Sequence, residues 1–241
     1  MAQVVADVFD VVLIDQDDDV IGTTTLQDAG IEVQVQESDI RGGKGNQLLG
    51  VLHSDRDIAI NLTDVSFRYE WLAKQLGQPI VTGAGVAYAM PKWYKVESGL
   101  SIELEHTPIS ATPLAIYDEL GTRIYGSLSG KTVTFSGGVT VGDQIEVRTY
   151  TYATSASTES IKIDNAVFAK GVKAILETIE IDSTTEKATH ILQWQFPNAL
   201  PSGNFSVNTT SAREASAQTF NLRVVKPKVG TVVGETLRIP L

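Results

Sequence analysis

The chain has 241 residues, a formal net charge of −10 and hydrophobic residues at 42% of its positions, values that indicate a folded protein with one large β domain or two smaller ones. It contains no cysteine, which excludes disulfides, thiolate metal sites and a cysteine nucleophile. An acidic chain does not coat nucleic acid, because neutralising phosphates requires clustered lysine and arginine.

Alternation of apolar and polar side chains is the most frequent pattern along the chain and predicts half-buried β-strands. It is clearest in IEVQVQ, where Glu32, Gln34 and Gln36 share the polar face, and in DIAINLT, where Asn61 lies on the polar face. The same period recurs at residues 133–135, 145–147, 161–163, 192–196, 205–207 and 220–224.

One segment departs from this period and predicts an amphipathic helix over Asp64–Leu76 that packs against a sheet. Asp64 is suited to cap its N-terminus, Gly77 fits the left-handed position that ends a helix, and Pro79 stops its continuation. The predicted fold class is therefore mainly β with one flanking α-helix.

The middle of the chain, residues 97–154, alternates short strands with turns rich in glycine and proline. Small polar residues border it on both sides, in ESGLS and ATSASTES, as they do in linkers. We interpret residues 97–154 as a small β-sandwich domain inserted into a discontinuous domain of residues 1–96 and 155–241. The alternative is one continuous sheet with long hairpins.

Residues with catalytic or metal-binding chemistry form no known motif. His53, His106 and His190 lie far apart in the sequence and match no zinc-site spacing, so we assign no catalytic, cofactor-binding or metal-binding residue. The acidic run Asp15–Asp19 is a candidate for binding a cation, but it lacks the glycine and glutamate of an EF-hand loop. A solvated hairpin tip is the preferred interpretation of this run.

The glycine-rich stretch RGGKGNQ does not match a phosphate-binding P-loop. Its glycines allow backbone conformations that are closed to other residues, and two basic side chains place positive charge on an acidic chain. These features fit either a loop that docks on an acidic partner surface or an ordinary flexible connection. The residues of this candidate interface are Arg41, Gly42, Gly43, Lys44, Gly45, Asn46 and Gln47.

The block DIRGGKGNQLLGVLHSDRDIAINLTDVSFRYEWLAKQLG resembles tail-tube proteins of phages that infect Gram-positive bacteria, and FPNALPSGNF and FNLRVVKP near the C-terminus are similar too. The resemblance implies a tail-tube-like β-sandwich or barrel with a flanking helix, without enzymatic activity or a cofactor. It implies hexameric rings whose strands join around a hollow lumen, with loops or hairpins reaching the next ring. It also implies an acidic lumen through which DNA passes without specific binding.

Within this family, the polar face of Glu32, Gln34, Gln36 and Asn61 suits the wall of a water-filled lumen. The stretch Arg41–Gln47 is the first candidate for contact between rings or subunits, and Asn208–Gln218 is the second. The implied partners are further copies of the chain and other tail proteins such as a sheath, a tape measure or a terminator. The implied location is the virion tail, after synthesis in the host cytoplasm and without a membrane.

Three other functions stay open on the sequence alone. The first is a capsid decoration or head–tail connector protein, which would share the β-rich, acidic profile. The second is a carbohydrate-binding β-sandwich module that presents a sugar platform built from Trp71, Trp93 and Trp194. The third is a hydrolase that uses scattered carboxylates, for which the candidates are Glu103, Glu105 and Asp118.

Overall fold

The computed structural model describes residues 2–110, 113–207, 211, 217–227 and 229–241. The chain divides into two compact units, of which the first comprises Met1–Ile80 and Ile161–Leu241 and the second comprises Val81–Ser160. The predicted inserted domain, residues 97–154, falls inside the second unit, and its limits as a separate domain stay a prediction.

The described residues are mainly β with one helix, which confirms the predicted fold class. In chain order they form β1 (Gln3–Ile14), β2 (Val20–Thr23), β3 (Leu26–Gly42), β4 (Gln47–Asp64), α1 (Tyr69–Leu76), β5 (Val81–Thr82), β6 (Val86–Tyr88), β7 (Lys92–Lys95), β8 (Ser101–Glu103), β9 (Ala115–Tyr117), β10 (Arg123–Ile124), β11 (Gly126–Ser129), β12 (Thr132–Phe135), β13 (Gln144–Thr149), β14 (Thr151–Ala153), β15 (Glu159–Ser160), β16 (Val172–Asp182), β17 (Ala188–Pro201), β18 (Gln218–Val224) and β19 (Glu235–Pro240).

The first unit is built on an eight-stranded sheet with the order β2-β1-β16-β17-β18-β4-β3, in which β19 also pairs with β17. All of its strand pairs are antiparallel. Alternation sends one set of side chains to a single buried face, where Ile60, Leu62 and Phe220 are fully buried. Helix α1 covers part of this face, and the ring of Trp71 lies 5.1 Å from that of Phe220.

The helix begins at Tyr69, later than the predicted start at Asp64, and Arg68 occupies the N-cap position without a side-chain hydrogen bond that caps the helix. Asp64 is instead the last residue of β4, and its carboxylate is buried. Arg68 donates from Nε to this carboxylate over 2.8 Å, and the hydroxyls of Thr23 and Thr25 donate to it as well. The prediction of Asp64 as the N-cap was wrong because these long-range partners hold its side chain.

The helix ends as predicted at Gly77, which has a left-handed backbone with φ of +66°. A Cβ atom at this position would lie 2.2 Å from the backbone oxygen of Phe168. Gly77 is therefore required both by its conformation and by the close approach of the 161–171 segment.

The second unit contains a four-stranded sheet, β10-β9-β13-β7, and a three-stranded sheet, β11-β12-β8, besides the pairs β14-β6 and β15-β5. Side chains from the two larger sheets meet in one buried cluster. The cluster includes Ile102, Ile116, Val133, Phe135, Ile145, Val147 and Tyr150. The unit thus has a hydrophobic core of its own.

Candidate assembly interface

The most exposed regular element of the first unit is a long hairpin, which we call the arm and define as residues 32–42, the turn 43–46 and residues 47–57. Strands β3 and β4 have 17 and 18 residues and pair along almost their whole length. Strand β18 pairs with β4 only from Ala59 to Asp64, so the arm extends beyond the rest of the sheet as two strands. At about 3.3 Å per residue, the arm is roughly 35 Å long.

The predicted loop Arg41–Gln47 forms the tip of the arm. Arg41 and Gly42 end β3, Gln47 begins β4, and only Gly43–Asn46 form the turn. Gly43, Gly45 and Asn46 have φ values of +77°, +87° and +51°, a conformation that explains why glycine and asparagine occupy the turn. Arg41 is ion-paired with Asp39 over 2.6 Å, so the charge of Arg41 is partly neutralised within the arm.

Both faces of the arm are exposed, which is unusual for strands with aliphatic side chains. We call the two faces even and odd, after the numbers of the β3 residues that point to each. Exposed aliphatic side chains lie along the whole arm, namely Val33, Val35, Ile40, Leu48, Leu49, Val51 and Leu52, each between 39% and 67% exposed. A two-stranded hairpin is marginally stable by itself in water, so this surface calls for a covering partner.

The predicted lumen residues lie together on the even face of the arm and its continuation on the sheet. Glu32, Gln34 and Gln36 alternate along β3, and Gln34 Nε2 donates to Glu32 Oε1 over 2.7 Å. Asn61 of β4 continues this face, opposite the buried side of the same strand. All four side chains are exposed, as lining a water-filled space would require.

Three further residues, which the sequence did not single out, complete this polar face. Asp57 and Asp55 lie across the arm from Gln34 and Gln36. Arg223 of β18 donates a hydrogen bond from Nε to Asp57 Oδ1 over 2.8 Å. Asp55 and Asp57 belong to the same alternating run as Asn61, and extending that run toward the turn would have found them. Arg223 carries no such signal, because only the pairing of β18 with β4 brings it here.

The sheet of the first unit has open edges in the described part of the chain. Strand β3 stands at one end of the strand order and pairs with β4 alone, while β2 stands at the other end. An unpaired edge offers backbone donors and acceptors to a strand of another molecule. This arrangement is suited to joining sheets between copies.

The acidic run Asp15–Asp19 forms ion pairs with a lysine of the protein itself. Lys74 of α1 places its ammonium 2.5 Å from Asp15 Oδ2 and 3.5 Å from Asp19 Oδ2. The hydrogen bond from Lys74 holds the pKa of Asp15 below its usual value. Among the described residues, no group of three potential ligands is arranged to hold a metal ion. The run joins the hairpin β1–β2 to the helix.

The side chains considered for catalysis have separate neighbours. Nδ1 of His53 lies 3.3 Å from Oε1 of Glu37, and Nδ1 of His190 lies 3.7 Å from Oε2 of Glu180. The ring of His106 stacks on that of Tyr152, with ring centroids 4.0 Å apart. Of the carboxylates, Glu105 is paired with Lys92, and Asp118 accepts a hydrogen bond from the backbone of Thr122. Glu103 ends β8 with an exposed side chain.

The tryptophans do not form a common sugar platform. Trp71 is fully buried in the core, and Trp194 packs edge-on against Phe9 with ring centroids 5.3 Å apart. Only Trp93, in the second unit, is half exposed. The second predicted contact, Asn208–Gln218, lies for the most part outside the described residues. No helix in the described ranges is long and apolar enough to cross a membrane.

Comparisons with known proteins agree with an assembly role. A model of the YomU/Tube protein family matches residues 3–239, which is nearly the whole chain. A protein described as "Tail tube protein" from Bacillus phage SPR is 26% identical over 198 residues, covering 80% of this chain and 72% of that protein. These similarities concern a structural family and not an enzyme family.

Proposed function

This chain belongs to the YomU/Tube protein family and is a structural protein of the phage tail-tube class, and we propose that its copies form stacked rings around a channel that conducts DNA. The arm is the observation that carries this proposal. It exposes aliphatic side chains on both faces, and no further strand in the described part of the chain pairs with its two strands. A second copy of the chain supplies the missing partner in every ring of a repeating assembly.

Each ring is closed by strand pairing between neighbours. The open edge at β3 of one subunit faces the edge at β1 and β2 of the next, which removes edges that would otherwise promote aggregation. Hexameric rings follow from the resemblance of the sequence to tail-tube proteins. The tip residues Arg41–Gln47 then contact the adjacent ring, since the arm is the element that extends beyond the sheet.

The even face of the arm base lines the channel. Glu32 and Asp55 place negative charge there, whereas Asp57 is ion-paired with Arg223. Gln34, Gln36 and Asn61 keep the surface hydrated. A channel wall of this kind repels phosphates, so DNA moves through it without being held. The formal charge of −10 for the whole chain is consistent with such a wall.

The assembled protein belongs to the virion tail, after synthesis in the host cytoplasm. Its further partners are other tail proteins of the sheath, tape-measure or terminator kind, which contact the outside, the interior or the end of a tube. Neither a cofactor nor a metal ion takes part in this function.

Electron microscopy and sedimentation of the purified full chain at rising concentration test the proposal. We expect rings with an open centre that stack into tubes. A matched variant in which a two-residue Asn-Gly turn replaces residues 35–56 should fold but stay monomeric. Monomers of the unaltered chain at every concentration would contradict self-assembly into a tube, and rings that never stack would favour a connector or decoration role.

A further inference from the structure

The character of the even face changes abruptly halfway along the arm. On β3 this face carries Glu32, Gln34 and Gln36 at the base, but Ser38 and Ile40 toward the tip. The side chain of Ile40 lies next to Gly50 of β4, since its Cδ1 atom is 3.8 Å from where a Cβ at Gly50 would stand. The even face is therefore polar and charged at the base and apolar at the tip.

A β-bulge at Ser54 causes the same change on β4. Gln36 pairs with Asp55 and Glu37 pairs with His53, which leaves Ser54 without a partner in the register. Its hydroxyl donates to the carbonyl of Gln36 over 3.3 Å. One extra residue reverses the alternation of the strand, so Leu52 points to the even face instead of following Ile58 on the odd face.

The strand residues at the tip of the even face are consequently uncharged and mostly aliphatic, with Ser38 and Gln47 as the polar members. Leu52, Leu49 and Ile40 are 58%, 67% and 44% exposed. Leu49 belongs to the same surface, because its Cδ1 atom is 3.0 Å from where a Cβ at Gly42 would stand. A side chain at residue 42 would crowd Leu49, whereas a Cβ at residue 50 would only touch Ile40.

The odd face carries aliphatic and polar side chains on both sides of the bulge. At the base it carries Val33 and Val35, with Arg56 opposite Val35, and is continuous with the core. Beyond the bulge it carries the polar contact between His53 and Glu37 and the ion pair between Arg41 and Asp39. The aliphatic side chains of this part are Leu48 and Val51.

We propose that the channel wall ends at the Ser54 bulge and that the tip beyond it buries its surface of Ile40, Leu49 and Leu52 against a second copy of this chain. This inference rests on the proposed function and assigns one face of one hairpin to two environments. An apolar, uncharged surface does not suit a wall along which hydrated DNA moves, whereas it suits the interior of a protein contact.

The size of the arm favours a second copy as the partner. Without the half of the even face that lines the channel, a two-stranded ribbon about 35 Å long and about 10 Å wide offers roughly 500 Å² for contact. Stable specific contacts bury about 800 Å² on each partner. The arm thus supplies more than half of what one subunit of a repeating assembly must contribute.

The chain has no cysteine, so single cysteines report on this arrangement without a background. We would compare Gln36→Cys, at the base of the even face, with Ile40→Cys and Leu52→Cys at its tip. Each variant is mixed in small proportion with the unaltered chain, so that tubes form even if a variant alone assembles poorly. Labelling by a small uncharged maleimide is then measured in free subunits and in tubes.

We expect the tip thiols to react at least roughly tenfold more slowly in tubes than in free subunits, while the Gln36→Cys thiol stays reactive because small reagents enter an open channel. Tip thiols that react in tubes as fast as the thiol at residue 36 would overturn the inference and leave the tube itself intact. Failure of the unaltered chain to assemble would instead count against the proposed function.

Deleting Ser54 provides a second test. The deletion removes the bulge and turns Leu52 to the odd face, so we expect a folded subunit that does not form tubes. The matched control Ser54→Ala keeps the extra residue and should assemble. Normal tubes from the deletion variant would refute a role for the bulge in directing the tip.

Discussion

Replacing Arg68 by alanine removes the cation that pairs with the buried Asp64 carboxylate. The ion pair spans 2.8 Å, with Asp64 fully buried and the Arg68 side chain 26% exposed. Two unit charges at this distance attract by about 6 kcal/mol at an effective dielectric constant near 20, and desolvation offsets part of that attraction. Arg68 also donates from its guanidinium to the hydroxyls of Thr23 and Thr25 over 2.9 and 3.0 Å.

Arg68→Ala should lose less stability than a variant in which the buried carboxylate keeps no hydrogen-bond partner at all. The backbone N–H of Ser66 and the two threonine hydroxyls still donate to Asp64 in the variant. Breaking a buried pair typically costs about 3–5 kcal/mol, so we expect roughly 2–3 kcal/mol for Arg68→Ala. For a unit of this size that loss lowers the thermal midpoint by about 5–10 °C.

The pH dependence of the loss identifies its origin. Burial raises the pKa of Asp64, but hydrogen bonds from Arg68, Ser66 and the threonines outweigh burial and hold the pKa below its usual value. A depressed pKa stabilises the fold above the unfolded pKa of about 4, and this stability is lost as the pH falls through the folded value. The difference between the unaltered chain and Arg68→Ala should therefore shrink as the pH is lowered toward about 3.

Thermal unfolding of the two proteins across this pH range is the assay, with Arg223→Ala as the control. Arg223 forms an ion pair of the same length with Asp57, but its side chain is 69% exposed, so its loss should cost at most about 1 kcal/mol. Equal losses for the two variants, or a loss for Arg68→Ala that does not depend on pH, would refute the assignment of a buried charge pair.

Three further predictions concern the helix end, the arm and the channel. Gly77→Ala should lower the free energy of unfolding by about 2–4 kcal/mol, because the φ of residue 77 is +66° and backbone atoms of Phe168 occupy the place of a Cβ. Chemical denaturation measures this loss. The control Gly22→Ala should cost about 1 kcal/mol or less, because a Cβ there would have nothing within 4 Å. Gly43→Pro should leave the subunit folded but block tube formation in electron micrographs, because proline fixes φ near −65° where the turn has +77°; normal tubes would contradict the role of the tip. Tubes of Glu32→Lys should retain double-stranded DNA at low salt and release it as salt rises, whereas the same charge change at the exposed Glu119 of the second unit should retain none.

Local patterns determined the strands and the end of the helix. The period of two in IEVQVQ and DIAINLT gives the faces of β3 and β4 without further information, because side chains on a strand alternate by geometry. Gly77 followed by Pro79 marks the end of the helix, because glycine adopts a left-handed backbone and proline cannot continue a helix. The resemblance of residues 39–77 to tail-tube proteins added the family, which periodicity alone does not contain.

Tertiary contacts decided what local patterns do not encode. Aspartate is a common N-cap residue, but Arg68, Thr23 and Thr25 hold the carboxylate of Asp64. The helix therefore begins at Tyr69 and not at Asp64. Lys74 of α1 forms an ion pair with Asp15 of the acidic run, a contact that no local pattern in the sequence indicates.

The arm shows the same division between sequence and tertiary structure. RGGKGN indicates a turn, but the length of the hairpin follows from where β18 stops pairing with β4. The Ser54 bulge likewise exists only in the register between two strands, which is why the reversal of Leu52 is not visible in the alternation of either strand alone.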